Sequence, residues 1–145
     1  PVSGWPSLWP DPPVRLLRSD RYTRAVLLLL RQVEHLLSPT CALVLSSRAA
    51  CRSADRAYHQ RLLETGRASR RLFVRTQPGM PLAEAALLFA HRGPRVALIG
   101  EPACAEVEAR RRVALGEVET AAAIACEAPT ETGEVTAQIV VFQAG

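Results

Sequence analysis

The chain is 145 residues long, 48% hydrophobic and 5% aromatic, with a formal net charge of +4 in which all 18 basic residues are arginine. That length supports one domain with a real core and is too short for two, and the longest apolar run, Ala25–Leu30, sits between Arg24 and Arg31 and falls well short of a membrane span. Cys41, Cys51, Cys104 and Cys126 make no C-x-x-C pair, which argues against a metal or disulfide framework and for reduced, mostly buried thiols.

Pro1–Pro13 carries Trp5, Trp9 and five prolines, so residues 1–19 are expected to run extended over the surface with the indoles against the body. The stretch lacks the basic, apolar, small-residue order of a secretory leader, and a cytoplasmic protein is the expectation. Residues 20–145 read as a single α/β domain. Ser19 or Asp20 caps a helix to about Leu37, with Val26, Leu27, Leu30, Val33 and Leu37 on one face and Leu28 and Leu29 widening it. Ser38-Pro39-Thr40 stops that helix. Cys41–Leu45 reads as a buried central strand, and Ser46-Ser47-Arg48 as the polar turn behind it. Ser53 is placed to cap an amphipathic helix through Glu64, built on Ala54, Ala57, Tyr58 and Leu62 and closed by Thr65-Gly66.

The most sharply punctuated stretch is Arg71–Gly100. Leu72–Arg75 is a brief β-prone run, Gln77-Pro78-Gly79 a turn, and Pro81 sits where a first helical turn tolerates a residue without an N–H. Leu82–His91 is apolar nearly all the way round, as for a helix inside a protein or at an interface. Arg92-Gly93-Pro94 ends it, with Gly93 read as a left-handed cap, and Val96–Ile99 is a continuous apolar run suited to a strand covered on both faces. Glu101-Pro102-Ala103 then starts a charged helix to about Leu115, capped by Gly116. Val118–Cys126 reads as a strand, Pro129–Gly133 as a turn, and Val135–Phe142 as a final strand antiparallel to its neighbour. The sum is a mixed, mostly parallel sheet of about five strands covered by helices.

The order of F-x-x-T-x-P, a helix of small and aliphatic residues, R-G-P and a buried strand resembles the amino-terminal half of the β-ketoacyl synthases, and of their non-condensing relatives, the chain-length factors. The resemblance extends back through ALVLSSRAACRSADRAYHQRLLETG and forward to GEVETAAAIACEA, covering most of Arg21–Ala128, and rests on the order of several weak motifs. It implies half of a thiolase-like fold, because a complete ketosynthase is a duplicated one.

It also implies where chemistry should sit. In ketosynthases the acyl group rides on a cysteine opening the helix after the R-G-P strand, where the helix N-terminus favours thiolate. The position here that matches is Pro102, which has no nucleophile; Glu101-Pro102-Ala103 is closer to the acid-Gln-Ala pattern of chain-length factors. Cys104 is the one alternative, but Glu101, Glu106 and Glu108 surround it with negative charge that opposes the helix dipole. The two family histidines come from the other half of the fold; His35, His59 and His91 read instead as surface or capping residues without a partner acid. No phosphate loop, metal spacing or Ser/His/Asp order is present, so no cofactor is expected.

The reading that follows is a non-catalytic, chain-length-factor-like subunit of fatty-acid, polyketide or polyene synthesis, pairing with a ketosynthase, with a second ketosynthase-like chain or with itself. The resemblance places the strand after R-G-P at a two-fold interface and the preceding helix beside an acyl tunnel. Phe73, Met80, Leu87, Leu88, Phe89, Val96, Leu98 and Ile99 are then the candidates for interface and tunnel wall. Arg67, Arg70, Arg71 and Arg110, Arg111, Arg112 are candidates to dock an acidic acyl carrier protein. The alternative is an acyl-transferring or condensing subunit using Cys104 with histidines from a partner. Scattered arginines, few aromatics and no recognition motif argue against nucleic acid.

Overall fold

The computed structural model describes residues 9–128 and 134–145; Trp5 and the turn expected over Pro129–Gly133 lie outside the described residues. Four strands form one sheet in the order β2-β1-β3-β4, with β1 Ala42–Ser47, β2 Arg95–Ile99, β3 Thr120–Glu127 and β4 Thr136–Gln143. The first three are parallel, with Val44 opposite both Val96 and Ala123, while β4 returns antiparallel and sets Ile139 opposite Ile124. The parallel pairs demand crossovers, and the chain supplies them as helices. In chain order the helices are α1 Val14–Leu17, α2 Arg21–Val33, α3 Arg52–Thr65, α4 Arg70–Arg75, α5 Met80–Leu88 and α6 Pro102–Ala114.

Strand alternation sorts the core into two layers. Leu43 and Leu45 of β1 and Ala122, Ile124 and Cys126 of β3 face α2 and α5, packing with Val26, Leu27, Leu30, Leu82 and Ala85. Ala42 and Val44, with Ala121 and Ala123, face α6, whose Ala105 and Ala109 are buried against them. Alanine is a poor strand former. Its abundance in β3 follows from this contact, since small side chains on both surfaces let the helix settle close on the sheet.

Local signals explain most boundaries. The Asp20 carboxylate accepts from Thr23 N at 2.7 Å to cap α2. Gly66 and Gly116 take left-handed backbone, φ 63° and 70°, at the ends of α3 and α6. Trp9 stacks on Phe89 at 5.8 Å under the Arg31 guanidinium, so this indole does lie on the body.

Several expectations are overturned. Leu72–Arg75 is not a strand: it forms α4, capped by the Ser69 hydroxyl, and the sheet has four strands among the described residues. Residues 14–17 are helical rather than extended, and Leu16 is fully buried, so the core begins before residue 20. The cap of α3 is at Cys51, not Ser53, and none of its residues is buried. Gly93 is not the left-handed residue after α5; Ala90 is, at φ 51°. Gly93 is required for another reason: a Cβ there would lie 2.0 Å from the Cys41 carbonyl oxygen. β2 is not fully covered on both faces: Val96 and Leu98 pack in the α6 layer, but on the opposite face Ile99 is left exposed.

Candidate functional site

The position implied for the family nucleophile lies at the first turn of α6, beyond the carboxyl end of β2 and next to that of β1. In open α/β sheets this edge is where ligands usually bind. Glu101 opens the helix without a side-chain cap, Pro102 follows as the first helical residue, and the Ser46 hydroxyl donates to the Pro102 carbonyl at 3.2 Å. Proline suits that position because its missing N–H would have no partner there. Cys104 is exposed, and its sulfur folds back on Gly100, where a Cβ would come within 3.1 Å.

Beside it, the chain turns after β1 around one carboxylate. Glu127, at the end of β3, accepts from the Arg48 amide at 2.6 Å, the Ala49 amide at 3.0 Å and the Ser47 hydroxyl at 3.1 Å. Successive amides aimed at one anion are the arrangement by which turns hold phosphate and carboxylate. Here the anion is supplied by the chain itself. The Arg48 guanidinium then spans Glu127 and Glu101, at 3.8 and 3.6 Å.

The remaining thiols are buried and held protonated. Burial pushes Cys41 and Cys51 up to about 11 and Cys126 to about 12, with acids near the last two adding to the shift. His91 is buried rather than a surface cap: its Nε2 donates to the Cys41 carbonyl at 2.7 Å and lies 3.4 Å from the Cys41 sulfur. Burial lowers its basicity, the carbonyl bond partly offsets this, and Arg95 adds to the lowering. A thiol pushed up beside an imidazole pushed down is the reverse of a reactive Cys–His pair. These two tie the end of α5 to the start of β1. His35 and His59 are exposed on other elements.

The residues expected at an interface are divided. Val96 and Leu98 pack under α6, and Leu88 and Phe89 pack on the α2 layer. Phe73 is 52% exposed on α4, near Tyr58, and Met80 lines a separate groove. Leu87 and Ile99 are different: they are 66% and 71% exposed, and α5 and the outer strand bring them to one side of the sheet. Next to Leu87, Gly79 at the helix cap and Ala83 and Ala86 of the helix face Ala97 and Arg95 of the strand across a shallow hollow of about 380 Å³. Sequence periodicity could not find this, because an apolar helix looks the same whether a partner or the core covers it.

The arginines divide too. Arg111 and Arg112 each bond Glu108 and Glu117, and these contacts hold Glu108 at about 2. Arg110 lies over the Phe142 ring at 4.9 Å. Arg67 is exposed after α3, whereas Arg70 and Arg71 line the groove that Met80 also lines. Among the described residues no helix is long and apolar enough to cross a membrane.

No family model matches the sequence, and no curated protein matches it. The backbone does find a likeness, in a ketosynthase (ApeO) in complex with its chain length factor (ApeC) from Xenorhabdus doucetiae: TM-score 0.68 at 11% identity, over 81% of this chain and 50% of that one. The fold is ketosynthase-like. At that identity the likeness lies in topology, and the ketosynthase-like chain spans about half the length of the solved chain it matches. In such a ketosynthase-like half, the start of α6, the turn after β1 and the outer strand β2 are the three places where fold and chemistry meet.

Proposed function

We propose that the chain is a non-catalytic, chain-length-factor-like subunit that pairs through β2 and the outer face of α5 with a ketosynthase or a second ketosynthase-like chain. The observation that carries this reading is the state of β2: an outer strand, apolar over Val96–Ile99, with Ile99 71% exposed at its end and an exposed Leu87 on the α5 flank of the hollow that Ala97 lines. Charge and proline are the usual means of blunting an outer strand; here Pro94 and Arg95 do so only at its start, and Val96–Ile99 is an open template for pairing. Burying Ile99 and Leu87 would contribute about 1.5–3 kcal/mol each. The contribution to an assembly is then geometric, a wall against which a growing acyl chain stops, because the helix start where the family carries its thiol holds Pro102.

Leu87→Arg/Ile99→Arg tests the pairing, since both side chains point to solvent and the fold need not change. Light scattering and native mass spectrometry should show the wild-type chain associating, with itself or with a co-expressed ketosynthase, and the variant failing to associate at unchanged Tm. A wild-type chain that stays monomeric and captures no ketosynthase sinks the pairing. Incubation with an acyl thioester tests the other half of the reading: no mass adduct should form, and one on Cys104 would make the subunit an acyl-transferring one.

A further inference from the structure

The arginines of α1 and α4 form a feature that the pairing face does not use. A groove of about 670 Å³ lies between α1, the start of α2, α4 and the first turns of α5. That is within the size range of small-molecule sites. Val14 and Val74, 59% and 41% exposed, and Met80 give it an apolar floor. Arg15, Arg18, Arg70, Arg71 and Arg75 rim it, against two acids, Asp20 and Glu84.

The acids are already engaged. Asp20 caps α2, and Glu84 pairs with Arg15 at 3.3 Å. Arg75 donates to the Arg18 carbonyl at 2.6 Å, which ties α4 to the end of α1. The guanidiniums of Arg18, Arg70 and Arg71 lack a carboxylate within 4 Å among the described residues, so the rim carries a surplus of positive charge over an uncovered apolar floor. Guanidinium forks match carboxylate and phosphate oxygens, and their planar heads can stay hydrated while their stems line apolar surface. α5 keeps this site apart from the pairing face, presenting Met80 and Glu84 here and Ala83, Ala86 and Leu87 towards β2.

We propose that this groove binds an anionic amphiphile, an alkyl chain ending in a phosphate or carboxylate, with the chain on Val14, Val74 and Met80 and the head held by Arg18, Arg70 and Arg71. Calorimetry with n-octyl phosphate and octanoate, each below its micelle concentration, tests it against inorganic phosphate and 1-octanol. At least one of the two amphiphiles should bind about tenfold or more tighter than either fragment, and the tighter of the pair names the head group. Arg70→Ala/Arg71→Ala should weaken that binding about tenfold, and Val74→Asp should abolish it, with circular dichroism unchanged in both. Inorganic phosphate binding as tightly as octyl phosphate would reduce the rim to a plain anion surface and overturn the proposal. So would unaltered binding in the arginine variant, or capture of an acidic carrier protein with no binding of either amphiphile.

Discussion

Glu127 is where a single substitution should reach furthest into the candidate site. Its carboxylate is 18% exposed and accepts three hydrogen bonds from the turn after β1, two of them from consecutive amides. Hydrogen bonds to a charged acceptor contribute about 1.5–3 kcal/mol each, and the Arg48 amide can recover water on losing its partner while the half-buried Ala49 amide cannot do so fully. Glu127→Ala should therefore cost about 2–4 kcal/mol, and Glu127→Gln, which keeps one acceptor oxygen, about half of that. For a chain of this size each kcal/mol moves Tm by about 2–4 °C, so the alanine variant should melt roughly 4–16 °C lower. Urea unfolding gives the free energy, and hydrogen exchange locates it: protection should fall first at the Arg48 and Ala49 amides. A Tm within 2 °C of wild type, or unchanged exchange at those amides, would show that the turn holds itself and that the carboxylate is incidental.

Three further outcomes are expected. Gly93→Ala places a methyl 2.0 Å from the Cys41 carbonyl oxygen and 2.5 Å from that of Thr40, backbone atoms that cannot swing aside; it should cost more than about 3 kcal/mol in denaturant titrations. Gly79→Ala, whose new methyl meets nothing closer than 3.9 Å, should stay close to wild type, and equal losses in the two would refute the geometry. His91 is held neutral by burial in the folded chain but protonates near pH 6.5 once unfolded, so stability should be full above that pH and decline as pH falls below it towards the lowered folded value. A His91→Gln variant should lose that slope in midpoints measured from pH 8 to 5. Native alkylation at pH 8, read by intact mass, should modify one thiol of the four quickly, at Cys104, because the other three are buried and pushed up to about 11 or 12.

What could be read in advance followed from patterns that survive without knowledge of neighbours. β1 and β3 are short runs buried on both faces, and the helices packed around them carry Asp20, Pro102, Gly66 and Gly116 at the ends where capping chemistry wants them. The misreadings came where tertiary context decides. Leu72-Phe73-Val74 has strand-forming side chains, but six residues, Arg70–Arg75, are too few to display a helical period, and the Ser69 hydroxyl starts a helix instead. His91 meets a backbone carbonyl fifty residues away, a partner that no local spacing can announce. Glu127 escaped notice for the same reason, since its three donors lie 78–80 residues earlier.

The unusual feature of β2 is the conflict between its composition and its place. A run of Val96-Ala97-Leu98-Ile99 has the signature of an interior parallel strand, yet the sheet order puts it outermost. One side of the conflict is settled within the chain: Val96 and Leu98 lie under α6 and account for half of the pattern. In the other half, Ala97 faces the hollow against α5 that Gly79, Ala83 and Ala86 line together with Leu82, Leu87 and Arg95, and Ile99 is left 71% exposed. Arg95, which lines the same hollow, puts one charge at the start of this face, and the positions beyond it, 97 and 99, carry none. The pattern therefore continues to its end as if a further layer were present. The proposed pairing supplies that layer and gives Ile99 and Leu87 the same explanation.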